Sequence, residues 1–255
     1  MNLLSYIIIF SLVGGVLSLM GAIIIVRQNL WSANCLVHFI SFATGTLMGT
    51  AFLELLPEAI QRGTTPNKAL AWTLGGFVVF FILEGLMHWS NKKHDHKTDI
   101  PVGGHHDLSH APWMITISDS IHNLVDGVAI AAAFLISIPL GLLTTFAIAT
   151  HEIPQEIGDM AIMLHAGWNS KKVFFWNIIS SLTAVIGAVG TYFLRDTIEP
   201  IIGLLLALTA GFFIYIGASD LVPELYNPTR RDKLNHVVPL FLFGILIIGL
   251  LTRFE

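Results

Sequence analysis

The chain has 255 residues, of which 54% are hydrophobic and only 12% charged, with a formal net charge of −4 and a mean hydropathy of +0.74. A soluble domain carries about 25% charged residues; half that supply cannot coat a globular surface, so much of this surface must face something other than water. The mild charge points away from a nucleic-acid partner, and Cys35, the only cysteine, excludes intramolecular disulfides and Cys-rich zinc modules.

Apolar runs near the length of about 20 residues that a bilayer requires lie at 3–26, 35–60, 69–91, 112–137, 140–165, 172–194, 198–224 and 236–252. They predict an all-α polytopic membrane protein of eight transmembrane helices, organised as one transmembrane domain over 1–255. No Lys or Arg precedes the first run, and that run is long enough to span, so it is expected to be a membrane helix and not a cleavable signal peptide. Only Ile138-Pro139 breaks the fourth run from the fifth, which predicts a tight antiparallel hairpin.

Basic residues resist translocation and so set orientation. Loops after odd-numbered runs hold Arg27, Lys92, Lys93, Lys97, Lys171, Lys172, Arg230, Arg231 and Lys233, against Arg62, Lys68, Arg195 and Arg253 on the other side. Both termini are therefore expected outside the cytoplasm, with the 92–111 loop inside it, and the cell membrane is the expected location.

Run two contains Glu54-Leu55-Leu56-Pro57-Glu58 and run seven Asp220-Leu221-Val222-Pro223-Glu224. With opposite orientations, the two suggest an inverted repeat, a common construction in secondary transporters. Glu54, Glu58, Asp220 and Glu224 fit either cation relays at the two mouths or ordinary helix-end acids.

The strongest chemical signal lies in runs four and five. The first holds Asp119, His122, Asn123 and Asp126, and the second His151, Glu152, Gln155, Glu156 and Asp159. Residues three and four apart share a helix face, so these groups form two stripes that a hairpin would bring together. A carboxylate at mid-bilayer costs about 2.5–3.5 kcal/mol even on the lenient insertion scale. From Thr98 to Ser170 there is no Lys or Arg to compensate. Either carboxylates stay protonated or a cation arrives from outside, and the two histidines favour a transition metal over Na⁺. Pro154 removes a backbone donor four residues after Thr150, so a kink at the ligands is expected. His94, His96, His105, His106 and His110 give the 92–111 loop a His-rich, metal-binding composition.

The stretches His122-Asn123-Leu124-Val125-Asp126-Gly127 and His151-Glu152-Ile153-Pro154-Gln155-Glu156-Ile157-Gly158-Asp159, together with Asp220 through Glu224 and the segment Phe213-Ile214-Tyr215, resemble the ZIP (Zrt/Irt-like) metal transporters. The resemblance implies uptake of Zn²⁺, or of Fe²⁺, Mn²⁺ or Cd²⁺, as transported substrate without a cofactor, by a homodimer with an elevator-like motion. Carried over by position, it implies a primary site of His122, Asp126, His151 and Gln155, flanked by Asn123, Glu152 and Glu156. Two departures stand out. Gln155 occupies a position where many members carry Glu or His, and Ala184 fills the place of a bridging Glu that some members bring from the sixth segment. Two other functions compete with metal transport. An intramembrane metalloprotease would want His-Glu-x-x-His on an unbroken helix, whereas Gln155 and Pro154 interrupt that pattern here. A proton or Na⁺ carrier could relay through the same acids.

Overall fold

The computed structural model describes residues 2–17, 19–20, 33–94, 111–225 and 234–254. Apolar sequence in a medium without water must satisfy its backbone internally, and helices do so segment by segment. The described residues accordingly form helical rods and no strand. The first, α1, is Leu3–Leu12, continued by a widened π turn at Val13–Leu17. The second, α2, runs Ala33–Gly49, widens at Thr50–Leu55 and continues as Leu56–Gln61. Then come α3, Pro66–His94; α4, Ala111–Ile136; α5, Ile138–His165; and α6, Ser170–Phe193. After short turns at Arg195–Ile198 and Glu199–Ile201, α7 runs Ile202–Tyr215, widens at Ile216–Leu221 and ends with Val222–Leu225. The last, α8, is Leu234–Leu251.

Among the described residues, five helices are long and apolar enough to cross a membrane by themselves: those spanning Val37–Gln61, Pro66–Leu83, Pro112–Ile136, Ser170–Phe193 and Arg195–Ser219. Leu3–Gly15 and His236–Leu251 are shorter apolar helices. The fifth run is absent from both groups because His151, Glu152, Glu156 and Asp159 interrupt its hydropathy; it is nevertheless a helix of 28 residues.

The break between α4 and α5 is tighter than expected. Ser137 alone separates them, and Pro139 falls inside the first turn of α5, where its missing N–H costs nothing. The Ser137 hydroxyl accepts the Leu140 N–H at 3.1 Å and caps that turn.

The acidic-Leu-apolar-Pro-Glu repeat coincides with a repeated backbone event. In both copies a π turn precedes the proline. Leu56 N–H reaches back five residues to Ala51 O, and Val222 N–H does the same to Gly217 O. Helix packing has a matching symmetry: α2 lies against α8 and α3 against α7, the pairs that an inversion relating α1–α3 to α6–α8 would exchange. One apolar core, including Ile7, Leu47, Phe80, Ile130, Ile148, Ala188, Phe213 and Val237, joins all eight rods.

The closest packing is between α4 and α6. A Cβ on Gly127 would sit 1.8 Å from the Ala184 carbonyl oxygen, and one on Gly187 would sit 2.2 Å from that of Leu124. Backbone cannot yield there as a side-chain tip could. Gly127→Ala should therefore lower stability by at least the ~1–3 kcal/mol typical of overpacking, seen as an earlier thermal unfolding midpoint in detergent. Gly45, which belongs to the Gly45/Gly49 pair, meets the Phe241 carbonyl of α8 in the same way, so that pair serves packing within the chain.

Candidate metal centre

Because α4 and α5 leave one turn antiparallel, positions equidistant from Ser137 meet at one depth. His122 lies fifteen residues before Ser137 and His151 fourteen after it; at 1.5 Å per residue both stand about 21–23 Å along their helices. Four side chains converge there: His122 and Asp126 from α4, His151 and Glu152 from α5, all buried. His122 Nε2 is 3.2 Å from His151 Nε2. Asp126 Oδ2 is 3.4 Å from His151 Nε2 and 3.8 Å from His122 Nε2. Glu152 Oε1 lies 3.7 Å and 3.8 Å from the same two nitrogens.

Those separations decide between two chemistries. Hydrogen bonds from nitrogen to oxygen close at about 2.7–3.2 Å, and the four His–carboxylate distances exceed that range. A tetrahedral ion with bonds of about 2.0–2.2 Å holds neighbouring ligand atoms about 3.3–3.6 Å apart. The five measured edges fall within a few tenths of an ångström of that spacing. Asp126 Oδ2 and both Glu152 oxygens, moreover, are buried without a hydrogen-bond partner. Among the described residues no Lys or Arg pairs with them; the ionic contacts at this depth are those to the two histidines.

The imidazole of His151 also has a backbone neighbour. Its Nδ1 lies 3.2 Å from the Ala147 carbonyl, an acceptor, and a proton on Nδ1 would bond there and leave the Nε2 lone pair toward the centre. The walls are aromatic: Phe80 of α3 meets His122 edge-on at 5.4 Å, and Phe213 of α7 lies 6.2 Å from His151. Thr46 of α2 shares a 2.8 Å hydrogen bond with Thr150, one residue before His151.

The family model described as ZIP Zinc transporter matches residues 1–112 and 90–252. The chain belongs to the ZIP zinc transporter family. It is similar to the metal cation symporter ZIP14 of Mus musculus, 28% identical over 93% of this chain and 63% of the relative. It is likewise similar to the zinc transporter ZIP13 of the same species, 30% identical over 92% of this chain and 74% of the relative. The zinc transporter ZIP4 of Rattus norvegicus is 29% identical over 84% of this chain and 41% of its own length. The chain thus spans from about two-fifths to three-quarters of these relatives. ZIP membership makes it an integral membrane protein.

Of the residues expected to line the ZIP site, His122, Asp126, His151 and Glu152 come together. Asn123 is buried beside them, but its amide nitrogen donates to Asp119, at 2.9 Å to Oδ1 and 3.1 Å to the carbonyl. Glu156 is buried one turn further along, where Ser181 of α6 donates to Oε1 at 3.1 Å. Gln155 is half-buried on α5, one residue beyond Pro154. Pro154 lies inside α5, which is helical on both sides of it. Glu54 and Glu58 stand apart, lining a cleft with Pro57, Gln61, Arg62 and Thr252 at the far end of α2. Glu58 there accepts from Arg62 at 2.8 Å. Asp220 falls in the π turn of α7 and Glu224 just after it, with their side chains outside the described set, as is that of His94. His96, His105, His106 and His110 lie outside the described residues.

Sequence reasoning missed the contributions of α3, α6 and α7. Asn177, Ser180 and Ser181, spaced i, i+3 and i+4 on an apolar helix, were the available signal for α6. Phe80 carried none, since aromatic residues in a spanning helix are ordinary, and Phe213 entered only within the family-like segment Phe213-Ile214-Tyr215.

Proposed function

We propose that this chain carries divalent transition-metal ions, Zn²⁺ foremost, across the membrane toward the cytoplasm through the His122–Asp126–His151–Glu152 centre. The reading rests on one observation: two imidazole nitrogens and two carboxylate oxygens stand at the separations of ligands around a shared ion, the carboxylates too far from the imidazoles for hydrogen bonds and, among the described residues, without a Lys or Arg partner. Mixed nitrogen and oxygen donors suit Zn²⁺, and also Fe²⁺, Mn²⁺ and Cd²⁺. The relatives named as metal cation symporter and zinc transporters support the same substrate class. Gln155, next along from Pro154, is a neutral auxiliary ligand in this reading, and Glu54 with Glu58 forms the outer approach. From the loop charges both termini lie outside the cytoplasm in this reading, and the cell membrane is its proposed host. The exposed apolar face of α3, including Leu70, Leu74, Phe81 and Ile82, faces lipid. A homodimer is proposed from family resemblance, and particle mass in nanodiscs checks it.

The test is radiolabelled Zn²⁺ uptake into proteoliposomes, with Fe²⁺, Mn²⁺ and Cd²⁺ as competitors. Saturable uptake that Cd²⁺ inhibits supports the reading; flux no greater than in protein-free vesicles, with the protein correctly inserted, removes it. Metal binding must displace protons from imidazole and carboxyl groups, so affinity falls as protons compete. Zn²⁺ uptake at low concentration should therefore decline several-fold between pH 7.5 and pH 5.5, with a rising KM, checked by concentration series at both values.

A further inference from the structure

We propose that a cleft at the end of the bundle where α4 turns into α5 seats the headgroup of an anionic glycerophospholipid, held by Arg62, Lys68 and Arg195. The cleft has a volume of about 630 Å³ and lies among the starts of α1, α3 and α7 and the ends of α2 and α4; all three basic side chains line it. The loops and terminus at this end hold only four basic residues, these three and Arg253. Three of the four thus share one cleft.

Their depth is that of a headgroup. Arg62 follows a membrane-length helix that ends at Gln61, Lys68 lies in the first turn of one that begins at Pro66, and Arg195 opens one that runs to Ser219. Helices of that length end at the lipid–water boundary. Phe193 and Leu194, directly before Arg195, and Leu70, two residues after Lys68, are exposed apolar side chains. The charges therefore border hydrocarbon, and basic pockets between transmembrane helices recruit anionic headgroups in this way.

The seat is built by packing. Gly63 adopts a φ of +85°, which turns the chain from α2 into α3, and Thr64 N–H donates to the Ala59 carbonyl at 3.2 Å. A Cβ on Gly203 would stand 2.5 Å from Thr64 Oγ1. The turn that carries Arg62 and Lys68 is thus pressed onto the start of α7. The Arg195 guanidinium stands 4.7 Å over the Tyr192 ring.

Neighbouring acids leave these cations only partly matched. Glu58 accepts from Arg62 Nε at 2.8 Å and leaves the Nη groups. Among the described residues Lys68 has no ion pair. Asp196, 3.5 Å from Arg195 Nε, turns 88% of its side chain to solvent, and Glu199 is the other acid of the lining. Three cations against two acids leave the lining one positive charge, which matches a monoanionic phosphodiester. Phosphate oxygens suit the guanidinium forks, and headgroup hydroxyls can donate to the two carboxylates. Phosphatidylglycerol supplies both, and its acyl chains meet the apolar border that a soluble phosphate would leave uncovered.

Native mass spectrometry of the purified full chain tests it, with phosphatidylglycerol, phosphatidylethanolamine and phosphatidylcholine of the same acyl chains as competing probes. A basic residue near a membrane surface is worth about fivefold in affinity for an anionic lipid. The first phosphatidylglycerol should bind at least about fivefold tighter than either zwitterionic lipid. Lys68→Gln should weaken it about fivefold, and Arg62→Gln/Lys68→Gln/Arg195→Gln should bring it to the phosphatidylcholine level. Arg253→Gln, at the same end but outside the cleft, should leave it unchanged. If the triple variant does not fold, Lys68→Gln decides, because Lys68 is exposed and unpaired. Excess glycerol phosphate should not displace the lipid; displacement would make the cleft a soluble-anion site and overturn the proposal. Equal binding of the three lipids, or phosphatidylglycerol binding that ignores Lys68→Gln, overturns it as well. None of these readouts involves zinc flux, so they stand or fall apart from the transport reading.

Discussion

His151→Ala and Asp126→Ala should each reduce zinc flux in proteoliposomes by about 100-fold or more while the protein still inserts and elutes as a single species. The scale follows from metal-site chemistry: loss of a group that merely supports a ligand costs 10–100-fold in affinity or activity, and these residues hold the ligand atoms themselves. His151 is the more exposed test of the geometry. Its Nε2 makes three of the five short edges of the centre, to His122 at 3.2 Å, Asp126 at 3.4 Å and Glu152 at 3.8 Å. Asp126→Ala removes a carboxylate and two edges, to His151 and His122, so it should also raise KM for every divalent competitor. Alanine at 151 leaves a void next to Phe213, which costs stability, so thermal unfolding of each variant must be measured beside its flux. Flux unchanged in both variants would remove the four-residue centre as the path of the ion.

Zinc itself should stabilise the wild-type protein, and Glu152→Lys should abolish that stabilisation. A ligand at 100 times its Kd stabilises by about 2.7 kcal/mol, and a chain of this size shifts its midpoint by roughly 2–4 °C per kcal/mol. Wild-type protein should therefore melt about 5–10 °C higher with saturating Zn²⁺ than with chelator. Lysine at position 152 supplies from within the chain the positive charge that the site otherwise takes from solution. Its ammonium would stand among Asp126, Asp119 and Glu156, where mutual repulsion of the acids turns into attraction. The variant should melt at or above the metal-free wild type, show no zinc-dependent shift, and carry no zinc. Differential scanning fluorimetry with and without metal reads all but the last. A large zinc shift surviving in Glu152→Lys would mean that the ion binds elsewhere.

The eight rods were legible because each is a local property: a run of apolar residues must hydrogen-bond within itself in lipid, whatever its neighbours do. The hairpin was legible for a similar reason, since only Ile138-Pro139 breaks the apolar sequence there, although the structure puts the break one residue earlier, at Ser137. Much of the centre was legible too. His122 and Asp126 are four apart on one helix, and the depth of His151 and Glu152 follows from counting residues away from the turn. The need for an external cation followed from composition alone, because no Lys or Arg occurs from Thr98 to Ser170.

By itself, then, the sequence determined the helices, the excess of buried acid and the two histidines at one level, because these depend on spacing along a rod. Only the tertiary structure decided how the acids are shared. Rotation about the helix axes and the close approach of Gly127 to Ala184 set which oxygens meet, so Asp119 takes the Asn123 amide and Glu156 the Ser181 hydroxyl of α6. The tertiary structure likewise brought Phe80 and Phe213 against the histidines from distant segments. Such choices depend on sub-ångström packing between helices, and no periodicity within a single helix encodes them.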